Sequence, residues 1–197
     1  MKIDSLTVGP IGTNCYLVSP EEGDSAVIID PGGDGDAIRS ALGRRKPAAV
    51  LLTHGHFDHT GALGDFAKVP IYIHPADEIM LRDHHWSVGD QMGDALPRPA
   101  ATDFVQEGSR LRLAGLEITV LHTPGHTPGS VCYRIGNALF TGDTLFARGY
   151  GRTDFPGGNF AALMGSLRRL LKGEEDLAVY PGHGAATSIF RERGGIG

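Results

Sequence analysis

The chain has 197 residues, 41% apolar and 21% charged, a balance that fits one compact domain with a buried core. A net charge of −5 argues against a nucleic-acid partner, and no apolar run approaches the roughly 20 residues of a membrane helix. The start, Met1-Lys2-Ile3-Asp4-Ser5, holds no apolar leader and Cys15 and Cys132 are too few for a disulfide framework, so a cytoplasmic protein with both thiols in its core is expected.

Short strands separated by Gly and Pro are predicted over residues 3–8, 14–18 and 26–30. The third runs into Asp30-Pro31-Gly32-Gly33, a turn that leads to a helix over 36–44. A strand at 49–53 then meets the densest polar stretch of the chain, and a helix over 60–67 follows. Next come a strand at 71–74 and a helix opened by Pro75 that runs to about residue 82. Periodicity dissolves from residue 84 to about 103. A long loop of this kind is either a lid near a site or a surface excursion, with Trp86 as its contact or its plug. In the second half, strands at 110–113 and 117–121 flank Gly115, and strands at 131–135 and 138–141 turn around Gly136-Asn137. A glycine-rich loop over 149–158 precedes a helix over 160–171, then a strand at 177–180 and a helix over 185–193. Strands followed by alternating strand and helix, in both halves, predict an α/β fold with paired sheets between helices.

The polar stretch is Thr53-His54-Gly55-His56-Phe57-Asp58-His59, four metal-capable side chains within six residues. Imidazole and carboxylate suit zinc and related divalent metals. His54 and His56 are two apart, which excludes the helical arrangement of two His four apart around a Glu. Gly55 is expected to turn the chain through backbone angles closed to other residues. Without a metal, four such groups this close would repel one another or lose hydration. Three later strand ends carry further candidates: His126 in Pro124-Gly125-His126-Thr127-Pro128-Gly129, Asp143 in Thr141-Gly142-Asp143-Thr144, and His183 in Pro181-Gly182-His183-Gly184. Loops at strand ends converge on one edge of a sheet, where distant segments meet. His74, His84 and His85 fall outside the pattern, and His122 reads as a structural hydrogen-bonding residue.

Together with Asp30-Pro31-Gly32-Gly33, Gly142-Asp143-Thr144-Leu145-Phe146 and Gly151-Arg152-Thr153-Asp154-Phe155-Pro156-Gly157-Gly158, these residues resemble the metallo-β-lactamase superfamily. Within it the chain is similar to the short glyoxalase II-like (hydroxyacylglutathione hydrolase-like) proteins, from about residue 11 to 193. The resemblance implies a four-layer αββα sandwich, one domain over residues 1–197, with metals at one edge. It puts His54, His56 and His126 on one metal, Asp58, His59 and His183 on a second, and Asp143 across both. Asp58 is also the catalytic carboxylate of the set, and Asp30 buttresses the His-rich turn. The implied cofactor is two divalent ions, zinc ahead of iron or manganese. Longer relatives grip glutathione through a C-terminal helical domain that has no counterpart in this sequence. Arg152 stands where those relatives have a Lys that contacts glutathione, and Asp154 where they have an aromatic residue. The two either meet substrate or pair with each other to stiffen their loop.

The implied reaction is hydrolysis of a small-molecule thioester such as S-lactoylglutathione by a metal-bridging hydroxide. A thiol with a pKa of about 8.5 leaves as thiolate without a general acid, and the motif supplies no uncommitted acid. Arg152 is the candidate anchor for a substrate carboxylate. The rival on the same fold is a mononuclear iron persulfide dioxygenase, similar around Gly151-Arg152-Thr153-Asp154-Phe155, whose iron would use His54 or His56 with His126 and Asp143. The intact Pro181-Gly182-His183-Gly184 favours the hydrolase. β-Lactam hydrolysis fits less well, because His59 supplies a ligand that many true lactamases replace. Nuclease action lacks a basic patch. A metal-loaded protein inert towards thioesters is the non-enzymatic alternative.

Overall fold

Two six-stranded sheets carry the chain, one from each half. The computed structural model describes residues 1–195. The first sheet runs β1 (Lys2–Val8), β2 (Thr13–Ser19), β3 (Ser25–Ile29), β4 (Lys46–Leu51), β5 (Ile71–Ile73) and β6 (Asp103–Phe104), in that order. The second contains β7 (Arg110–Leu113), β8 (Leu116–His122), β9 (Val131–Ile135), β10 (Ala138–Gly142), β11 (Ala178–Pro181) and β12 (Thr187–Ser188), also in chain order. Hairpins are antiparallel, whereas β3–β4, β4–β5, β5–β6 and β10–β11 pair in parallel through crossovers.

Side-chain alternation explains why the sheets stack. Along β2, Cys15 and Leu17 point outward to a core shared with α1 (Gly35–Leu42), while Tyr16 and Val18 point into the gap between sheets. That central layer joins Val27, Ile29 and Leu51 of the first sheet to Val120, Tyr133 and Phe140 of the second. Beyond the second sheet, α3 (Phe160–Leu171) lays Leu163, Leu167, Leu170 and Leu171 on Cys132, Leu139 and Val179. The one-face spacing of those leucines makes the helix amphipathic, and Asn159 starts it by accepting a hydrogen bond from the Ala162 amide. Three cores separate four layers, the expected αββα sandwich. Both cysteines are buried, as the sequence suggested.

Three expected elements differ, and one strand was not expected. Residues 60–67 do not form one helix; α2 (Phe57–Thr60) is a single turn, followed by a 3-10 turn at Leu63–Phe66. Gly61 and Gly64 weaken helix propagation there. Pro75–Leu81 is 3-10 rather than α. The helix expected over 185–193 is shortened to α4 (Ile189–Glu192), capped by Ser188, because Thr187 and Ser188 form β12 and pair with β11. The two-residue β6 inside the irregular stretch leaves too short a pattern to read. No helix among the described residues is long and apolar enough to cross a membrane.

Candidate metal centre

The strand ends that carry the polar residues meet at one edge of the sandwich. β4 ends at Leu51, the chain turns through His54, Gly55 and His56, and α2 presents Asp58 and His59. His126 lies on the loop between β8 and β9, Asp143 directly follows β10, and His183 lies just beyond β11. All seven come together. The ligand atoms of His54, His56 and His126 lie within 4.8 Å of one another, as do those of Asp58, His59 and His183. Asp143 closes a third such group with His54 and His59.

Hydrogen bonds outside the cluster decide which edge of each ring faces in. His59 Nδ1 donates to Asp30 Oδ2 at 3.0 Å, and His126 Nδ1 to the Arg152 carbonyl at 2.7 Å. His54 Nδ1 sits 3.0 Å from Thr53 Oγ1, whose own proton goes to Asp30 Oδ2 at 2.7 Å. These bonds leave the Nε2 atoms of the three rings turned inward. His56 Nδ1 meets His126 Nε2 at 2.9 Å. His54 Nε2, His56 Nε2, His59 Nε2 and Asp143 Oδ1 are buried with no hydrogen-bond partner among the described residues. His59 Nε2 is 3.3 Å from Asp58 Oδ2 and 3.4 Å from Asp143 Oδ1, near enough for charge pairing but not aligned for hydrogen bonds. Buried polar atoms are almost always satisfied, so four orphans in one place fit a bound cation.

Electrostatics agree with that donor set. Burial, reinforced by neighbouring imidazoles, holds His54 well below the usual histidine range and His56 down to about 3. Both rings are therefore neutral, as ligation requires. At His59 burial opposes the charge, but Asp58, Asp30 and Asp143 outweigh it and raise the ring well above its ordinary value. Burial likewise opposes charge on Asp58 and Asp143, yet His59 and its neighbours hold both carboxyls below the usual range. Ionised carboxylates thus stand beside the neutral His54 and His56 rings, whereas His59 holds a proton that a bound cation would displace.

Support for the cluster comes from residues the motif did not point to. Thr13 Oγ1 donates to Asp58 Oδ2 at 2.7 Å. Asn14 Nδ2 donates to the carbonyls of Pro181 (3.0 Å) and Gly184 (2.9 Å), and Tyr16 Oη to that of Pro181 (2.6 Å). β2 therefore pins the His183 loop from the opposite sheet. Asn is unfavourable in strands, which is the one signal the sequence carries for this role. Asn14→Ala leaves two carbonyls without that donor; a loss of about 1–3 kcal/mol in urea unfolding is expected. Asp30 does buttress the His-rich turn, accepting from the Thr53 amide (2.8 Å), the Thr53 hydroxyl and His59.

Gly55 needs a different explanation from the one its sequence context suggested. It does not occupy the left-handed region; a Cβ there would lie 2.6 Å from Met80 Cβ and 2.9 Å from the Asp77 carbonyl oxygen. Close approach, not backbone freedom, requires glycine. Gly55→Val is expected to push the turn away from Met80, parting His54 from His56, and to lose metal binding. Normal uptake of two metals by that variant, measured by elemental analysis, would contradict this.

A cleft of about 550 Å³ opens onto His56, Asp58, His126, Asp143 and His183. Ile11, Met92, Phe146 and Phe155 form apolar walls, and Val88, Gln91 and Met92 bring the irregular stretch to its mouth. Val88 holds a φ of 65°, a costly conformation for a β-branched residue, at this rim. Trp86 packs instead toward Gly157, where a Cβ would lie 3.2 Å from the indole ring. Arg152 also lines the cleft and is paired with Asp154, Nε and Nη2 each donating at 2.6 Å, while its guanidinium covers the Phe155 ring. A larger groove of about 950 Å³ beside α2, lined by Gly33, Asp65 and Arg98, reaches none of the seven residues. His122 plays a structural part, stacked on His74 at 4.2 Å and bonded through Nε2 to the Pro128 carbonyl.

Known proteins resemble the chain in sequence and fold. The family model of the metallo-beta-lactamase superfamily matches residues 8–183. The hydroxyacylglutathione hydrolase GloC of Haemophilus influenzae is 36% identical, covering 98% of this chain and 95% of its own. Among solved structures, the BLEG-1 B3 metallo-beta-lactamase superposes with a TM-score of 0.92 at 35% identity, covering 99% of this chain and 98% of that one. TTHA1623 in a di-iron-bound form gives 0.84 at 38% identity, with 96% of each chain covered. ETHE1 from Myxococcus xanthus gives 0.79 at 32% identity, covering 99% of this chain and 83% of its own. Matched over most of its length by the family model and almost end to end by these relatives, the chain belongs to the metallo-beta-lactamase superfamily.

Proposed function

We propose that the chain is a metal-dependent hydrolase of thioesters, acting on S-lactoylglutathione or a related acyl thioester. His54, His56 and His126 would hold one divalent cation and Asp58, His59 and His183 a second, with Asp143 available to both. The convergence of four orphaned buried ligand atoms on one space carries this reading. When bound, the cations, zinc first with iron and manganese also suited to these donors, supply Lewis acidity and a water of lowered pKa.

The chain's own residues do the rest. Asp58, fixed by Thr13, accepts a hydrogen bond from the attacking water and orients it. The apolar walls of Ile11, Met92, Phe146 and Phe155 shield the acyl group from bulk solvent. Every acid and imidazole lining the cleft belongs to the metal-holding set, so nothing is free to protonate a leaving group. A thiolate of pKa about 8.5 departs unaided, an amine does not. Arg152 gives Nε and Nη2 to Asp154, which leaves Nη1 for a substrate carboxylate. The GloC likeness supports a glutathione thioester as the first substrate to try.

A second reading, persulfide oxidation with one iron, draws support from the His54, His59 and Asp143 group, a two-His, one-carboxylate set that has His59 where the sequence suggested His126. Metal-loaded protein offered S-lactoylglutathione separates the two. Chelator-sensitive thiol release is expected. One iron per chain with oxygen uptake on glutathione persulfide, and no thiol release, would replace hydrolysis with the second reading.

A further inference from the structure

Asp77 is fully buried yet belongs to no part of the metal-holding cluster. It sits on the 3-10 segment after β5, and its carboxylate meets three donors. Oδ1 accepts from the Gly129 amide at 2.6 Å; Oδ2 accepts from Thr127 Oγ1 at 2.6 Å and from the Gly55 amide at 3.3 Å. Gly55 lies between His54 and His56 on the turn after β4, in the first sheet. Thr127 and Gly129 follow His126 on a loop of the second. One carboxylate therefore ties together the two loops that bring His54, His56 and His126 into register. Its three donors offset part of the cost of burying it.

The other triad is held by different means. Asp58 is fixed by Thr13, and the His183 loop by Asn14 and Tyr16, none of which bonds to Asp77. We infer that Asp77 is a positioning residue for one metal of the pair, setting the spacing of His54, His56 and His126 and leaving Asp58, His59 and His183 unaffected. This rests on the two-triad assignment proposed above.

Asp77→Asn tests it with little change of shape. The amide oxygen still accepts from Gly129, and the Thr127 hydroxyl can turn to accept from the new NH2 group. The Gly55 amide, however, faces a donor instead of an acceptor. Thr127→Val removes one of the two links from the His126 side, leaving the Gly129 amide bond. Zinc is titrated into chelated wild type and both variants against a competing chelator, with imidazole nitrogen NMR reporting which rings bind. Urea unfolding of the zinc-free forms identifies any variant that has lost its fold, in which case the other variant decides. Wild type is expected to bind two zinc ions. In each folded variant one site should weaken by about 10–100-fold, the effect typical of removing a ligand's outer support. The His54, His56 and His126 rings should respond at the higher zinc concentration, and the other triad as in wild type. Equal weakening of both sites, or no weakening, would overturn the role of Asp77. A wild type that binds fewer than two zinc ions would instead overturn the two-triad assignment, and the inference with it.

Discussion

Asp143→Ala is expected to lower kcat/KM for a thioester by about a thousandfold or more, some 4 kcal/mol of transition-state stabilisation. Asp143 is the residue that faces both triads. Its Oδ1 lies 3.4 Å from His59 Nε2, and its Oδ2 lies 3.6 Å from His126 Nε2 and 3.7 Å from His183 Nε2. No hydrogen bond ties it to the scaffold among the described residues; its side chain faces only the cluster. Removing it takes a carboxylate out of a buried site but leaves Asp58 and Asp30 as charge partners of His59. The zinc-free fold should therefore lose little of its urea midpoint, while activity collapses. Steady-state kinetics beside unfolding of the chelated protein checks both halves. Parallel loss of stability and activity would make Asp143 a structural residue.

Asp30→Asn is expected to do the reverse, destabilising the zinc-free protein by about 3 kcal/mol, the scale for breaking a buried charged pair. Asp30 sits at φ 52°, a region that Asn tolerates nearly as well, so the substitution tests charge rather than backbone strain. The carboxylate serves the Thr53 amide, the Thr53 hydroxyl and His59 Nδ1 at once. An amide has one acceptor oxygen and puts an N–H2 where one of those donors points. The pH dependence has a definite sign. His59 is raised well above 6.5 in the fold, chiefly because its carboxylate neighbours overcome burial. A raised histidine contributes stability that is full below its unfolded value and disappears as pH rises through its folded value. The gap between wild type and Asp30→Asn should thus be widest at pH 6.5 and just below, and narrow above the raised value. Urea unfolding of chelated proteins across that range measures it; a gap that widens with rising pH would contradict the account.

The parts of this site that could be read from sequence were those whose chemistry and punctuation coincide. His54, His56, Asp58, His59, His126, Asp143 and His183 each follow a strand, all but Asp58 and His59 next to a glycine, and the structure brings all seven to one edge. The α3 boundaries were legible because the leucine spacing and Asn159 agree on where the helix lies. Support from afar was not. Thr13, Asn14 and Tyr16 act on residues more than 40 positions away, and apart from an Asn in a strand nothing local distinguishes them from other strand residues. Asp77 reads locally as an acid favouring the first turn of a helix, whereas its carboxylate is spent on a loop 50 residues later. Gly55 was recognised as special for the wrong reason, because the closeness of Met80 is a tertiary fact. The Arg152–Asp154 pair, open to two roles in the sequence, is formed at the cleft through Nε and Nη2 of the guanidinium.

The central claim is that two triads, joined by Asp143, hold two cations. Chelated wild type and His183→Ala, each reloaded with zinc and desalted, test it most directly through elemental analysis. Two zinc ions per wild-type chain and one per variant chain are expected, with thiol release from S-lactoylglutathione lost in the variant. A single zinc in wild type, unchanged by the loss of His183, would contradict the account.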